Sequence, residues 1–290
     1  MSHAIIIPIY CENRNTIILC NELQNFGAEH IVVVNDGLNP KSEYFNELTS
    51  IGCHLVHLKN NNGKGASLKA GIKYAHDNLY NITGYITCDA DGQHTANDVM
   101  KISRMLDLRN GSLILGKRDY KKSKMPINIR IGNRLSSAYF KVITGKSCRD
   151  TQTGLRGIPA FLYDTVMKTK GSRFDFEMNF LTKCADMRVP FYFVNIIADC
   201  SNCSSNFRLI KDTYLIYRTP LRFATASIGC TIIDLVLFTI FAYILPSHMF
   251  FNIMLATLMA RVVSGGINFL INRKVIFGNT DNGAKQALRF

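Results

Sequence analysis

The stretch Ile86-Thr87-Cys88-Asp89-Ala90-Asp91-Gly92-Gln93-His94 decides how the chain folds and where its chemistry lies. It begins as the end of a short apolar strand and continues into a turn that carries two carboxylates. Alternate side chains of an extended backbone point to the same side, so Asp89 and Asp91 can converge on one point. Hard oxygen ligands at this spacing suit Mg2+ or Mn2+, and Gln93 offers a neutral oxygen at the next alternate position. A polar surface turn would have the same local sequence, so the neighbouring segments must decide between the two interpretations.

Strands and helices alternate along the first half of the chain. The predicted strands are residues 4–9, 31–34, 54–58, 82–88 and 112–116, and the predicted helices are 16–26, 41–50, 67–78 and 97–108. Continuous β-branched runs are typical of parallel strands that are covered on both faces, and the alternation predicts a doubly wound α/β sheet. Ligands bind beyond the carboxyl ends of such strands. The polar segments follow the strands, so we expect them to form one site.

Basic residues accompany this predicted site. Residues 63–65 (Gly-Lys-Gly) lack the spacing of a P-loop, but they suit a phosphate or a close backbone approach at the start of a helix. The basic run 117–124 is followed by Arg130 and Arg134, and it is either a solvated loop or a rim that binds diphosphate or lipid phosphate. The spacing of Asp150 and Glu177 leaves open whether they are site residues or structural caps.

The composition restricts the class of protein. The chain has 290 residues, 47% of them hydrophobic, and a net charge of +13. The charge suggests an anionic partner such as nucleic acid, a membrane surface or a phosphorylated substrate, but no recognised nucleic-acid-binding module is present. The nine cysteines are scattered, which favours reduced thiols. Cys200 and Cys203 form the only Cys-x-x-Cys pair, which is a poor zinc site by itself.

The last quarter of the chain is predicted to be a membrane hairpin. Residues 223–245 and 250–271 are each long and apolar enough to span a bilayer. Asp234 and Arg261 interrupt them and are expected to pair. The basic residues that flank the two outer ends of the hairpin are Arg218, Arg222, Arg273 and Lys274. The positive-inside tendency therefore predicts that the amino-terminal domain faces the cytoplasm.

Six motifs in this order resemble those of a known family. They are PIYCEN at 8–13, VNDG at 34–37, NGKG at 62–65, DADGQH at 89–94, DTQTGLRG at 150–157 and FDFE at 174–177. The chain resembles the family-2 glycosyltransferases of the GT-A fold, which is Rossmann-like and binds nucleotide-diphospho-sugars, in the branch of dolichyl- and polyprenyl-phosphate sugar synthases. Cys11 and Leu38 depart from the family's usual Asn and Ser, next to positions that are expected to bind the donor.

The resemblance implies a role for each matching residue. The residues expected to hold the donor nucleotide are Pro8, Tyr10, Glu12, Asp36, Lys64, Asp89 and Ala90. The residues expected to hold Mg2+ or Mn2+ on the diphosphate are Asp89, Asp91 and Gln93. The residues expected at the catalytic centre are Asp91, Asp150, Arg118 and Arg134, of which the arginines would bind phosphate and Asp150 would lie near the acceptor.

The tail resembles the GtrA-like family of four-span membrane proteins, through Arg222-Phe223, Ile233-Asp234-Leu235 and residues 268–277. Members of that family are linked to moving lipid-linked sugars across membranes. Only two spans are present here, which suggests a truncation. The predicted organisation is a GT-A domain at 1–210, a juxtamembrane segment at 211–222 and a GtrA-like membrane region at 223–290.

The implied activity is inverting transfer of a hexose from a UDP- or GDP-sugar to a polyprenyl phosphate, undecaprenyl or dolichyl, at the cytoplasmic membrane face. A polyprenyl phosphate is anionic already, so little deprotonation is required. The expected partners are a nucleotide sugar, a lipid phosphate and a bilayer, and no nucleic acid. A homo-oligomer is compatible with these partners.

Two alternative functions remain. One is a glycan-elongating enzyme, whose usual Gln-x-x-Arg-Trp motif is missing in a chain without Trp. The other is a non-catalytic component of sugar-lipid translocation. The sugar, the nucleotide and the particular lipid stay open.

Overall fold

A computed structural model describes residues 2–118, 127–173, 175–197, 209–245 and 250–271 of the chain. The chain divides into two compact units, Met1–Asp212 and Thr213–Phe290. The first unit has the α/β fold that the sequence predicts. The second unit, where it is described, is helical and apolar.

One mixed sheet organises the first unit. Its strands within the described residues are β1 Ser2–Ile9, β2 His30–Asp36, β3 His54–Leu58, β4 Ile82–Thr87, β5 Leu113–Arg118, β6 Arg156–Pro159 and β7 Phe191–Ile196. They lie in the order β3-β2-β1-β4-β6-β5-β7, and β6 is antiparallel to its neighbours β4 and β5. The chain runs from β1 outward to β3 and then returns to place β4 on the other side of β1. The carboxyl ends of β1 and β4 therefore flank a topological switch point, where open sheets of this kind bind ligands.

Helices cover both faces of this sheet. Those of the first unit are α1 Arg14–Asn25, α2 Glu43–Ser50, α3 Lys64–Asn78, α4 Ala96–Leu108, α5 Ile127–Thr144, α6 Tyr163–Lys168 and α7 Asp175–Asp186. The Asn13 side chain caps α1 by accepting a bond from the Asn15 amide at 2.9 Å, and Thr95 caps α4 through the Asp98 amide at 3.2 Å. Such caps satisfy amide groups that have no partner inside the helix. They fix the start of both helices beside the switch point.

The two faces of β1 explain why its sequence is continuously apolar. Ile5 and Ile7 belong to a core cluster with residues of α1, α2 and α4. Ala4 and Ile6, which point to the opposite face, pack with residues of α3, α5, α6 and α7. All four side chains are buried. A strand that is covered on both faces has no position for a polar side chain, so period-two alternation is lost.

Two of the element boundaries that differ from the sequence prediction affect the site directly. Strand β5 continues two residues beyond the predicted end, because Lys117 and Arg118 pair with β7. Helix α3 begins at Lys64 rather than at residue 67, because Gly63 adopts φ +94° as its N-cap residue, a conformation that glycine accepts readily. Lys64 and Arg118 are therefore held on regular elements rather than on loops.

Two long helices complete the described chain: α8 Leu209–Ile244, most of which belongs to the second unit, and α9 Phe250–Ile271. The bounds of α9 agree with the second predicted span, whereas α8 is continuous through the predicted juxtamembrane segment 211–222. Among the described residues, Phe251–Leu270 is long and apolar enough to cross a membrane, and the apolar part Ile228–Ile244 of α8 is shorter.

The predicted contact between the two charges of the hairpin is confirmed. Arg261 Nε lies 3.5 Å from Asp234 Oδ2, and the Ser264 hydroxyl donates to Asp234 Oδ1 at 2.7 Å. A carboxylate within an apolar helix is costly unless it is paired and hydrogen-bonded. Both requirements are met by side chains of the neighbouring helix.

Candidate active site

The loops that follow β1 and β4 are joined directly to each other. In the first turn of α1, the Thr16 hydroxyl donates to the Ala90 carbonyl at 3.2 Å and the Asn15 side-chain Nδ2 donates to the Asp91 carbonyl at 3.5 Å. Tyr10 is the first residue after β1, and its side chain is 37% exposed. Burial and the neighbouring Cys11 raise the pKa of Tyr10 to about 12, so its hydroxyl stays a hydrogen-bond donor at neutral pH. The structure thus brings part of the predicted donor site beside the acidic loop.

The residues predicted to hold base and ribose differ in their environment. Pro8 is half-buried near the end of β1, and Glu12 is exposed in the loop after it. Asp36 is buried at the end of β2, where its two oxygens accept bonds from the amides of Asn62 and Gly63 at 2.8 and 2.9 Å. Its carboxylate therefore anchors the loop that precedes α3. The predicted contact of Asp36 with a nucleotide stays a prediction.

Lys64 lies between two carboxylates. Its Nζ is 2.6 Å from Asp89 Oδ1 and 3.1 Å from Glu177 Oε1. Burial by itself would lower the pKa of Lys64, but the carboxylates of Asp89 and Glu177 outweigh it and raise that pKa above its ordinary value. Burial likewise opposes the ionisation of Asp89, yet Lys64 and His94 hold the pKa of Asp89 below its ordinary value. The site therefore contains a lysine and a carboxylate that are both ionised at neutral pH.

The backbone of Gly154 closes the other side of Asp89. A Cβ atom built on Gly154 would collide with the Asp89 carboxylate, so a glycine is needed for this close approach. The Thr87 hydroxyl donates to the Gly154 carbonyl at 2.8 Å, which ties the 150–157 segment to the end of β4. The orientation of Asp89 is therefore fixed by Lys64 on one side and by this backbone on the other.

Asp91 is the second carboxylate of the pair. Its Oδ1 accepts a bond from the Gln93 amide at 3.1 Å, and its Oδ2 accepts from Gln93 Nε2. Burial, and then the neighbouring charge of Asp89, raise the pKa of Asp91 above its ordinary value. The Gln93 side chain presents its nitrogen to Asp91, so it orients this carboxylate. The role of Gln93 as an oxygen ligand stays a prediction.

The donor set of this loop fits a divalent cation. Two carboxylates of like charge lie close enough for one to raise the pKa of the other, and a cation between them would offset that repulsion. No group of three or more His, Cys, Asp or Glu side chains suited to a metal occurs among the described residues. Magnesium commonly takes only one or two protein carboxylates and completes its coordination with substrate phosphates and water. Asp89 and Asp91 would therefore hold Mg2+ or Mn2+ together with a diphosphate.

Asp150 and Arg118 form a buried, bidentate ion pair. Arg118 Nε lies 2.8 Å from Asp150 Oδ2, and Arg118 Nη2 lies 2.8 Å from Asp150 Oδ1. The Arg118 backbone amide also donates to Oδ2 at 3.3 Å. Asp150 is 0% exposed and Arg118 is 6% exposed. In this arrangement the carboxylate positions the arginine, and it does not line an open surface for an acceptor.

Arg156 and Glu177 support the site; the sequence assigned Arg156 no role and left open whether Glu177 is a site residue or a structural cap. Buried Arg156 donates to the carbonyls of Thr153, Thr151 and Glu177 at 2.9, 3.1 and 3.0 Å. These bonds hold the 150–157 segment against α7, beside the Glu177 carboxylate that contacts Lys64. The available signal was a charged residue directly after the apolar Leu155, at the first position of β6, because a buried charge requires partners.

Arg134 is exposed on α5, so the two predicted phosphate-binding arginines have different environments. Its neighbour Asn133 accepts a bond from the Thr151 amide at 3.2 Å, which connects α5 to the 150–157 segment. Residues 119–124 of the predicted basic run, Phe174 of the last motif, and Cys200 and Cys203 lie outside the described residues.

A doubly wound sheet with an acidic pair at its switch point is the arrangement of the GT-A class of nucleotide-sugar transferases. The chain belongs to glycosyl transferase family 2, whose sequence model matches residues 4–164. The GtrA/DPMS transmembrane domain matches residues 222–290. The chain is therefore a glycosyltransferase with a membrane domain.

Two relatives and one solved structure illustrate the similarity. The uncharacterized protein MJ1222 of Methanocaldococcus jannaschii is 32% identical over 188 residues, which are 61% of this chain and 73% of that protein. The UDP-N-acetylglucosamine–dolichyl-phosphate N-acetylglucosaminyltransferase of Methanococcus voltae is 28% identical over 172 residues, which are 52% of this chain and 67% of that protein. Glucosyl-3-phosphoglycerate synthase from Mycobacterium tuberculosis, solved with Mn2+, UDP-glucose and glycerol 3-phosphate, has a TM-score of 0.55 at 12% identity and covers 76% of this chain and 78% of its own. At that identity the likeness supports the fold.

Proposed function

We propose that this chain transfers a hexose from a UDP- or GDP-sugar to a polyprenyl phosphate at the cytoplasmic face of a membrane, with inversion at the anomeric carbon. The observation that carries the proposal is the union, in one chain, of a family-2 catalytic domain with a GtrA/DPMS transmembrane domain. A membrane domain holds the site near lipid, where a polyprenyl phosphate is the accessible acceptor. The name of the Methanococcus voltae relative gives further support.

The donor side of the reaction would depend on the acidic loop. Asp89 and Asp91 would hold Mg2+ or Mn2+ against the diphosphate, and the cation would supply Lewis-acid stabilisation of the leaving group. Lys64 and Gly154 keep the Asp89 carboxylate in one orientation, so little reorganisation is needed during the reaction. Arg118 is oriented in the same way by Asp150 and adds positive charge near the departing diphosphate.

The environment of Asp150 supports a phosphate acceptor over a hydroxyl acceptor. A sugar hydroxyl has to lose a proton during attack, so it needs an accessible general base. Asp150 is fully buried and bound by Arg118 through both oxygens, which makes it a poor candidate for that task. A lipid phosphate is already ionised at neutral pH and can attack without a strong base.

The proposal is tested with the full chain reconstituted in vesicles that contain polyprenyl phosphate. Labelled UDP- and GDP-sugars are offered one at a time, and the lipid fraction is analysed by mass spectrometry. We expect one donor to give a polyprenyl-phosphate sugar, with a rate that falls as salt is raised, since exposed basic residues are screened over about 8 Å at physiological ionic strength. Label in a glycan, with none in polyprenyl-phosphate sugar, would support the elongating alternative and refute the proposal.

A further inference from the structure

Glu177 is a buried carboxylate to which the proposed reaction assigns no task. Its side chain is 9% exposed, and its Oε1 lies 3.1 Å from Lys64 Nζ and 3.9 Å from Arg156 Nη2. Within the part of the chain that the structure describes, this oxygen accepts no hydrogen bond. A buried carboxylate oxygen without a hydrogen bond is costly. Glu177 can therefore accept a donor at closer range than it does in this structure.

The first turns of α3 and α7 hold Lys64 and Glu177 at fixed backbone positions. Lys64 is the first residue of α3, and Glu177 lies in the first turn of α7. A Cβ atom built on Gly65 would collide with the Phe176 side chain, so the two turns are already in close contact through a glycine. The Lys64 ammonium stands at the end of a flexible four-carbon stem. It is therefore the part of this pair that can move.

The position of that ammonium in this structure conflicts with a bound cation. Lys64 Nζ is 2.6 Å from Asp89 Oδ1, and Asp89 is a carboxylate that the proposed reaction uses to hold Mg2+ or Mn2+. An ammonium and a divalent cation on one carboxylate repel each other, and the repulsion is stronger in a buried site than in water. Glu177 offers the ammonium a second carboxylate within reach.

Arg156 holds Glu177 from the other side. Its guanidinium donates to the Glu177 carbonyl at 3.0 Å and to the carbonyls of Thr151 and Thr153 at 3.1 and 2.9 Å. Three bonds to the backbone fix the position of this arginine. An ammonium that leaves Asp89 therefore meets a carboxylate that is already in place, and the backbone does not have to rearrange.

We propose that the Lys64 ammonium moves from Asp89 to Glu177 when a divalent cation binds, and that Glu177 is the positioning residue that permits this exchange. The inference rests on the proposed use of Mg2+ or Mn2+ by Asp89 and Asp91. Lys64 neutralises Asp89 until the cation replaces that contact, and the backbone of Gly154 keeps the carboxylate in place throughout. Asp89 thus has a positive partner in both states, as a buried charge requires. The affinity for the cation then depends on how well Glu177 receives Lys64.

The experiment measures the affinity of the full chain for Mn2+ by equilibrium dialysis, with UDP present and in a second series with GDP. Asp91→Asn identifies the Mn2+ that binds away from the acidic loop. Glu177→Gln removes the charge, whereas Glu177→Asp keeps the charge but withdraws the carboxylate from Lys64 by one methylene group. The matched control is Asp175→Asn in the same turn of α7, where the carboxylate accepts from the Arg173 amide at 3.1 Å. Thermal unfolding checks that each variant is folded.

We expect Glu177→Gln and Glu177→Asp each to bind Mn2+ about ten-fold more weakly than the parent, which is within the range of couplings between residues in contact. Asp175→Asn should bind Mn2+ as the parent does. In a chain that carries Lys64→Gln, the addition of Glu177→Asp should leave the affinity unchanged, because no ammonium has to be received.

Parental affinity in Glu177→Asp would overturn the proposal, because only the charge of Glu177 would then matter. An equal loss with and without Lys64 would also overturn it, because Glu177 would then act by another route. In either case, Mn2+ binding that Asp91→Asn abolishes would leave the proposed function intact. Mn2+ binding that Asp91→Asn leaves unchanged would overturn both.

Discussion

At the scale of single residues, Asp91 is the carboxylate whose loss should affect transfer most directly. Asp91→Asn keeps the size and one of the two oxygens that accept from Gln93, but it removes a negative charge from the acidic pair. We expect transfer to fall about 100-fold or more, because a bound metal contributes several kcal/mol of charge stabilisation. The measurement is the rate of product formation over a range of Mg2+ and Mn2+ concentrations.

Asp77→Asn is the matched control for that variant, because Asp77 is an exposed carboxylate on α3 that pairs with Lys73. It should transfer at the rate of the unsubstituted chain. Chelation of the metal by EDTA should abolish transfer by both the parent and the control. Full transfer activity of Asp91→Asn in EDTA would show that the acidic pair holds no essential cation.

Gly154 is a second residue whose substitution should impair the site. Gly154→Ala places a methyl group where the Asp89 carboxylate lies, so Asp89 has to leave its position beside Lys64. We expect weaker binding of the nucleotide sugar in the presence of metal, measured by calorimetry, together with slower transfer. In the control Gly132→Ala the new methyl group meets no atom closer than 3.8 Å, and binding should be unchanged. Equal affinities of the two variants would contradict the structural account of Asp89.

At the scale of secondary-structure elements, His3 joins β1 to α4. Its Nδ1 lies 2.8 Å from the Ser103 hydroxyl, and its Nε2 lies 3.3 Å from Asp107 Oδ1. Burial lowers the pKa of His3 below its ordinary value of 6.5, although the nearby charges of Asp107 and Glu29 oppose the shift. The folded chain thus binds a proton at His3 less readily than the unfolded chain does.

The sign of the pH dependence follows from this difference. Since the unfolded chain binds more protons at this site, His3 favours folding above pH 6.5, and this contribution is lost as the pH falls below 6.5 towards the folded pKa. The thermal midpoint of the parent should drop between pH 7.5 and pH 5.5, and His3→Gln should show a smaller drop. Because all other groups are common to the two chains, identical pH profiles would refute the role of His3.

At the scale of the whole molecule, the basic flanks of the hairpin predict a cytoplasmic catalytic unit. Cys11 is exposed, whereas the other described cysteines are buried. Cys53, at 6% exposure, is for that reason unsuitable for labelling. In a chain with Cys200→Ser and Cys203→Ser, an impermeant maleimide should reach Cys11 only after the cells are permeabilised.

The matched control adds Ser247→Cys in the predicted turn between the two spans, outside the described residues. It should be labelled from outside intact cells, because the turn and the catalytic unit are predicted on opposite sides. Labelling of Cys11 in intact cells, before permeabilisation, would reverse the proposed orientation.

The sequence by itself determined the class of fold and the edge of the sheet at which the acidic motif lies. Continuous apolar runs such as that of β1 are typical of strands covered on both faces, and carboxyl ends of parallel strands share one edge, so the DADGQH motif was predicted to follow a strand at that edge, and it does follow β4. The apolar length of residues 250–271 likewise determined a helix. These are local properties, in which the pattern of neighbouring residues decides the outcome.

Only the tertiary structure decided which side chains meet. Lys64 and Glu177 are more than 100 positions apart in the sequence. The Lys64 ammonium nevertheless contacts the carboxylates of both Glu177 and Asp89. The burial of Asp150 against Arg118 depends on the segment before β6 meeting the end of β5. Contacts at long sequence separation are set by packing between elements, and no periodicity of a single segment records them.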